Sequence, residues 1–202
     1  METKNKILQR FSDCEIKVEQ REDGEETRKI TGYAAVFNKW SNPLGMDGWF
    51  REKIDARAFD NVLNDDVVAV FNHDNNIILA RNKKTLNLSI DEIGLRYEFD
   101  APKSPNGDNI LAAVERGDIV GSSFRFIPKT TQWQPSDQDG IEEDRTITEI
   151  SNLIDVGPVT FPAYPDSTAS ADMRDFEAAK NERKQPDQWQ RKIKEQELKL
   201  YK

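Results

Sequence analysis

The sequence predicts a β-rich α+β fold, a barrel or rolled sheet carrying two or three short helices. Three observations lead there. Short apolar runs with two-residue alternation recur from residue 29 to 156. Turn signals rich in Pro, Gly, Asn and Asp separate them, and few stretches show helical spacing. The chain has 202 residues, 36% of them hydrophobic, which is enough for one sizeable core and too little for two full domains. The organisation read from composition is a polar N-terminal segment over 1–28, a main domain over 29–168 and a charged helical tail over 169–202.

The N-terminal segment shows a short alternation around Ile16 and Val18, enough for an edge strand. KITGYAAVFN (29–38) is the first clear strand, followed by turn signals over 42–49. In IDARAFDNVLN (54–64), Phe59, Val62 and Leu63 have helical spacing and predict a short helix. The continuous apolar run over 67–71, ending in Asn72, His73 and Asp74, predicts a buried strand that opens toward a site. TLNLSI (85–90) and GLRYEF (94–99) alternate around a turn and predict a hairpin. Asp108 is placed to cap a helix bearing Ile110, Leu111 and Val114, with Gly117 as its stop. Strands follow over 119–127 and 146–156, with a hydrophilic loop over 135–145 between them. Prolines after Gly157 close the domain in loops or strand edges.

Charge and composition exclude several classes. No stretch approaches the roughly 20 apolar residues of a membrane helix. The N-terminus has no apolar signal region, so the expected compartment is the cytoplasm. The single cysteine, Cys14, has no internal disulfide partner and lies in a charged stretch without a neighbouring histidine, which favours an ordinary thiol over a nucleophile. The net charge of −8 is uneven: from Arg174 onward there are 9 Lys or Arg against 6 Asp or Glu, a net of +3, and the preceding 173 residues carry −11. An acidic body argues against direct nucleic-acid binding. The basic tail suits a solvated helix, or a docking or removable segment.

His73 is the chain's only histidine. One His and one distant Cys fall short of the three or four ligands zinc requires, and a carboxylate-based Mg or Ca site is the remaining metal alternative. No GxxxxGKS/T or GxGxxG run supports nucleotide binding. A neutral imidazole at a strand end can accept a hydroxyl proton and return it. Alternation over 119–127 puts Ser122 on one face with Val120, Phe124 and Phe126, and Ser123 on the other with Gly121 and Arg125. The aromatic face belongs to the core, and Gly121 leaves room beside Ser123 for a substrate backbone, so Ser123 is the better nucleophile. The pattern is not the GxSxG elbow, since Arg125 stands at the last glycine. Glu149 and Asp155 share one face of the predicted strand over 146–156, and spacing leaves both open as the acid that orients the imidazole.

The ordered set GYAAVF, FREKIDARAF, VVAVFNHD, LNLSIDEIGLRYEF, VERGDIVGSSFRF and ITEISNLIDVGPVTFPAYPDS resembles the prohead serine proteases of tailed bacteriophages across roughly 30–167. The resemblance implies a β-barrel similar to the herpesvirus capsid-assembly protease, ringed by short helices. It implies His73 and Ser123 as catalytic residues and, through the Glu-Ile motif, Glu149 as the third member. It implies a head-maturation endopeptidase with no cofactor, acting inside the procapsid in the host cytoplasm. Its implied substrates are the major capsid protein, its scaffold segment and its own ends, and the herpesvirus likeness allows a homo-oligomer. Two departures stand out. Ala56-Arg57-Ala58-Phe59 replaces the usual Pro-Gly-Ala-Phe, and Arg125 stands where glycine is frequent. A non-enzymatic scaffolding protein that kept the fold is the alternative, and it would hold Ser123 and His73 apart.

Overall fold

A computed structural model describes residues 7–161 except 13, 15, 20–26, 46 and 47. The tail over 169–202 therefore lies outside the described residues. Among the described residues ten strands and one helix follow in order: β1 (Leu8–Ser12), β2 (Lys17–Val18), β3 (Lys29–Val36), β4 (Phe50–Ile54), β5 (Val68–Val70), β6 (Ile78–Arg81), β7 (Leu86–Ile90), β8 (Gly94–Asp100), α1 (Pro105–Glu115), β9 (Gly121–Pro135) and β10 (Glu143–Val159). No described helix is long and apolar enough to cross a membrane.

Among the described residues the strands form two sheets and no closed barrel, in place of the expected barrel. The larger runs β1-β9-β10-β5-β6, with β4 also paired to β10; the smaller runs β2-β3-β8-β7. β9 and β10 form a long antiparallel ribbon, and β10 also takes β4 and β5 in parallel at different points along its other edge. Four register irregularities interrupt the β9–β10 pairing between Ile147 and Asp155. Each such irregularity breaks the two-residue alternation of side chains.

One core joins the sheets. Phe124 and Phe126 of β9 are stacked at 4.9 Å, and Phe59 meets Phe124 at 5.8 Å. Tyr97 and Phe99 of β8, with Ile30 and Ala34 of β3, complete this layer. Burying one such aromatic ring contributes about 2–3 kcal/mol.

Three further expectations change. The segment over 54–64 is a succession of turns, not a helix. Its backbone bonds run three residues back, Ala58 to Asp55, Val62 to Phe59 and Asp65 to Val62, and none propagates to the four-residue spacing of an α-helix. The apolar residues still reach the core, with Ala58, Phe59 and Val62 all buried, so the spacing recorded burial without the helix. α1 is capped by Ser104, whose hydroxyl accepts the Gly107 N–H, ahead of Pro105 in the first turn. Asp108 lies inside that turn and receives Arg28 at 2.6 Å. Gly117, at φ 77°, terminates the helix as expected. The strand pair around the hydrophilic loop is also longer than expected, reaching Pro135 and restarting at Glu143.

Candidate active site

The site is built where β5 ends against the β9–β10 ribbon. Val68 and Ala69 pair with Asp155 and Val156. Close approach requires Gly157, at φ 151°, because a Cβ there would lie 2.1 Å from the Val70 carbonyl oxygen. Beyond β5 the chain reverses through Asn72 and His73, both left-handed at φ 52° and 60°. Two consecutive non-glycine residues in that region cost roughly 1–2 kcal/mol each and need external support. Asn72 supplies it. Its backbone N–H donates to Pro158 at 3.1 Å, its side-chain amide donates to Thr160 Oγ1 at 3.1 Å, and its side-chain oxygen accepts the Thr160 N–H at 2.9 Å. This clamp turns the His73 ring back over the ribbon.

His73 then lies between an acid and a hydroxyl. Nδ1 is 2.7 Å from Asp155 Oδ1, and Nε2 is 2.7 Å from Ser123 Oγ. Ser123 and Asp155 have no solvent exposure, and the His73 side chain keeps only 10%. An ionised Asp155 accepts Nδ1–H and leaves Nε2 as the basic nitrogen. The second carboxylate oxygen of Asp155 accepts Arg125 Nε at 2.5 Å, with a further ion-pair contact from Nη2.

The two serines separate as alternation requires. Ser122 is buried against the other sheet, its hydroxyl 2.8 Å from the Tyr97 hydroxyl. Burial pushes the Tyr97 phenol well above its ordinary value, so it stays neutral. The space expected beside Gly121, however, is filled: a Cβ there would fall 2.3 Å from the Phe11 ring.

Glu149 does not reach His73. Its carboxylate accepts Lys129 at 2.6 Å and Thr130 at 3.2 Å at the surface, and the Lys129 ammonium holds it below the ordinary carboxyl value. The register irregularities explain the separation of Glu149 from Asp155. Glu149 pairs with Thr130 and Asp155 with Arg125, and the shifts between them destroy the common face assumed from spacing. Arg125 and Asn72 were missed as supports of the site. Arg125 could have been suspected from its position two residues after Ser123 on the same face; nothing local marked Asn72.

The model of the caudovirus prohead serine protease family matches residues 14–182. The chain belongs to this family. Membership makes it a serine peptidase, a hydrolase with a role in phage head maturation among procapsid components. No curated protein and no solved structure matches it. Ser123, His73 and Asp155 all fall within the matched residues, and β1 lies upstream of them.

Proposed function

We propose that this prohead protease cleaves peptide bonds through a triad of Ser123, His73 and Asp155. The observation that carries the reading is the unbroken chain Asp155–His73–Ser123, with both contacts at 2.7 Å. His73 Nε2 removes the Ser123 proton as Oγ attacks the scissile carbonyl carbon. The tetrahedral intermediate collapses when His73 returns that proton to the departing amine. Water, deprotonated by His73, then attacks the acyl-enzyme and restores the serine. Asp155 keeps the imidazole in the useful tautomer and balances its charge when it is protonated. Arg125 holds Asp155 in place. No step calls for a cofactor.

The expected substrates are the major capsid protein and its scaffold segment inside the procapsid, together with the enzyme's own ends, including the basic tail over 169–202. The alternative of a non-enzymatic scaffolding protein carries the expectation of a separated Ser123 and His73, and the 2.7 Å contact runs against it. For a carboxylate metal hydrolase, no group of three or more His, Cys, Asp or Glu is gathered among the described residues.

The test is co-expression with the capsid protein, wild type beside Ser123→Ala, read by intact-mass spectrometry. Cleaved capsid and protease ends in the wild type alone are expected. Identical processing in both would overturn the assignment.

A further inference from the structure

Ser123 Oγ has two acceptors and one hydrogen. It lies 2.7 Å from His73 Nε2 and 2.7 Å from the Arg10 carbonyl oxygen. A carbonyl oxygen only accepts. When the hydroxyl donates to Arg10, Nε2 must bring its own hydrogen to the contact with Oγ. Nδ1–H is meanwhile committed to Asp155, so the ring is then an imidazolium and cannot serve as a base. When the hydroxyl donates to Nε2 instead, two oxygens face each other at 2.7 Å with no hydrogen between them. The position of Arg10 therefore favours the proton arrangement that does not react.

Arg10 belongs to β1, which pairs antiparallel with β9 from Leu8↔Phe126 to Ser12↔Ser122 and sets Phe11 opposite Ser123. β1 thus covers the β9 edge on both sides of the nucleophile, and Ser123 has no solvent exposure. The Phe11 ring fills the space over Gly121. An extended peptide recognised by a sheet edge uses that edge's main-chain groups, and here β1 already holds them. Its anchors are elsewhere: Leu8 is buried, and the Arg10 guanidinium grips Glu52 of β4 at 2.7 Å.

We propose that β1 is an intramolecular latch, which occupies the edge of β9 where a substrate strand pairs and, through the Arg10 carbonyl, draws the Ser123 proton away from His73 until a substrate strand displaces it. The proposal rests on Ser123 being the nucleophile. Opening is a local event at the Phe11 end of the strand, and the rate at which a small reagent reaches Ser123 scales with the open population.

The experiment is the labelling rate of the full-length protein by a fluorophosphonate, followed by intact mass. Wild type is compared with Phe11→Ala and the milder Phe11→Val, each also made with Ser123→Ala. Cooperative unfolding of both variants is checked first. Loss of the Phe11 ring's packing over Gly121 is expected to raise the labelling rate about tenfold in Phe11→Ala, with Phe11→Val between it and wild type. A synthetic peptide of residues 6–14 is expected to slow labelling of Phe11→Ala again. Ser123-dependent labelling at an unchanged or lower rate in both Phe11 variants would overturn the latch and make β1 a fixed wall. Absence of Ser123-dependent labelling in every protein would overturn the nucleophile assignment beneath it.

Discussion

Arg125 stands opposite Asp155 in the β9–β10 pairing and takes the carboxylate oxygen that His73 leaves free. The acid is fully buried, yet each of its oxygens has a cationic or N–H partner. A buried carboxylate is tolerable only on those terms. Arg125→Gln should therefore lower stability by about 1–3 kcal/mol and reduce kcat/KM less than loss of the acid itself. Thermal unfolding and peptide hydrolysis on the same samples test this.

Asp155→Asn and Glu149→Gln separate the two acids considered from sequence. Asp155→Asn should lower kcat/KM by about 10²–10⁴-fold, because Arg125 takes the one amide oxygen and turns the NH2 toward Nδ1, which leaves the imidazole in the wrong tautomer. Glu149→Gln should leave the rate within about twofold, since its partners are Lys129 and Thr130 at the surface. The opposite ranking would return the role to Glu149.

Asn72→Ala should destabilise the His73 turn. It removes two side-chain bonds to Thr160 and places a residue less suited to a left-handed conformation at φ 52°. A loss of about 1–2 kcal/mol is expected, with a fall in kcat larger than any change in KM. Steady-state kinetics beside denaturant unfolding would show it.

Ser122→Ala tests the separation of the two serines. It removes the hydrogen bond to Tyr97 at 2.8 Å and should cost about 1–2 kcal/mol. Fluorophosphonate labelling should persist in it and vanish in Ser123→Ala.

Acid stability should report the Arg51–Asp144 pair that joins β4 to β10. The hydrogen bond from Arg51, 2.7 Å from its Nε, holds the Asp144 carboxyl below its ordinary value of 3.8. Its stabilising effect is complete above that value and is lost as pH falls through the lower folded value. Arg51→Met should melt below wild type at neutral pH, and the gap should close on acidification past 3.8. Melting curves across pH would check the sign.

Much of this protein was set by local pattern. Apolar alternation located the β7–β8 hairpin and the faces of β9, because on a regular strand each residue's face follows from its neighbour's. The same rule distinguished Ser123 from Ser122, and the lone histidine after an apolar strand drew attention to His73. Tertiary structure decided the rest. Glu149 and Asp155 were equivalent by spacing, and the irregular β9–β10 register turned one to the surface and the other to His73. The spacing of Phe59 and Val62 recorded their burial, but which backbone bonds formed around them depended on packing against Phe124. The strand that covers the nucleophile is 113 residues from Ser123 in sequence. Its contact there depends on where a sheet edge finds its partner, and no local pattern encodes that.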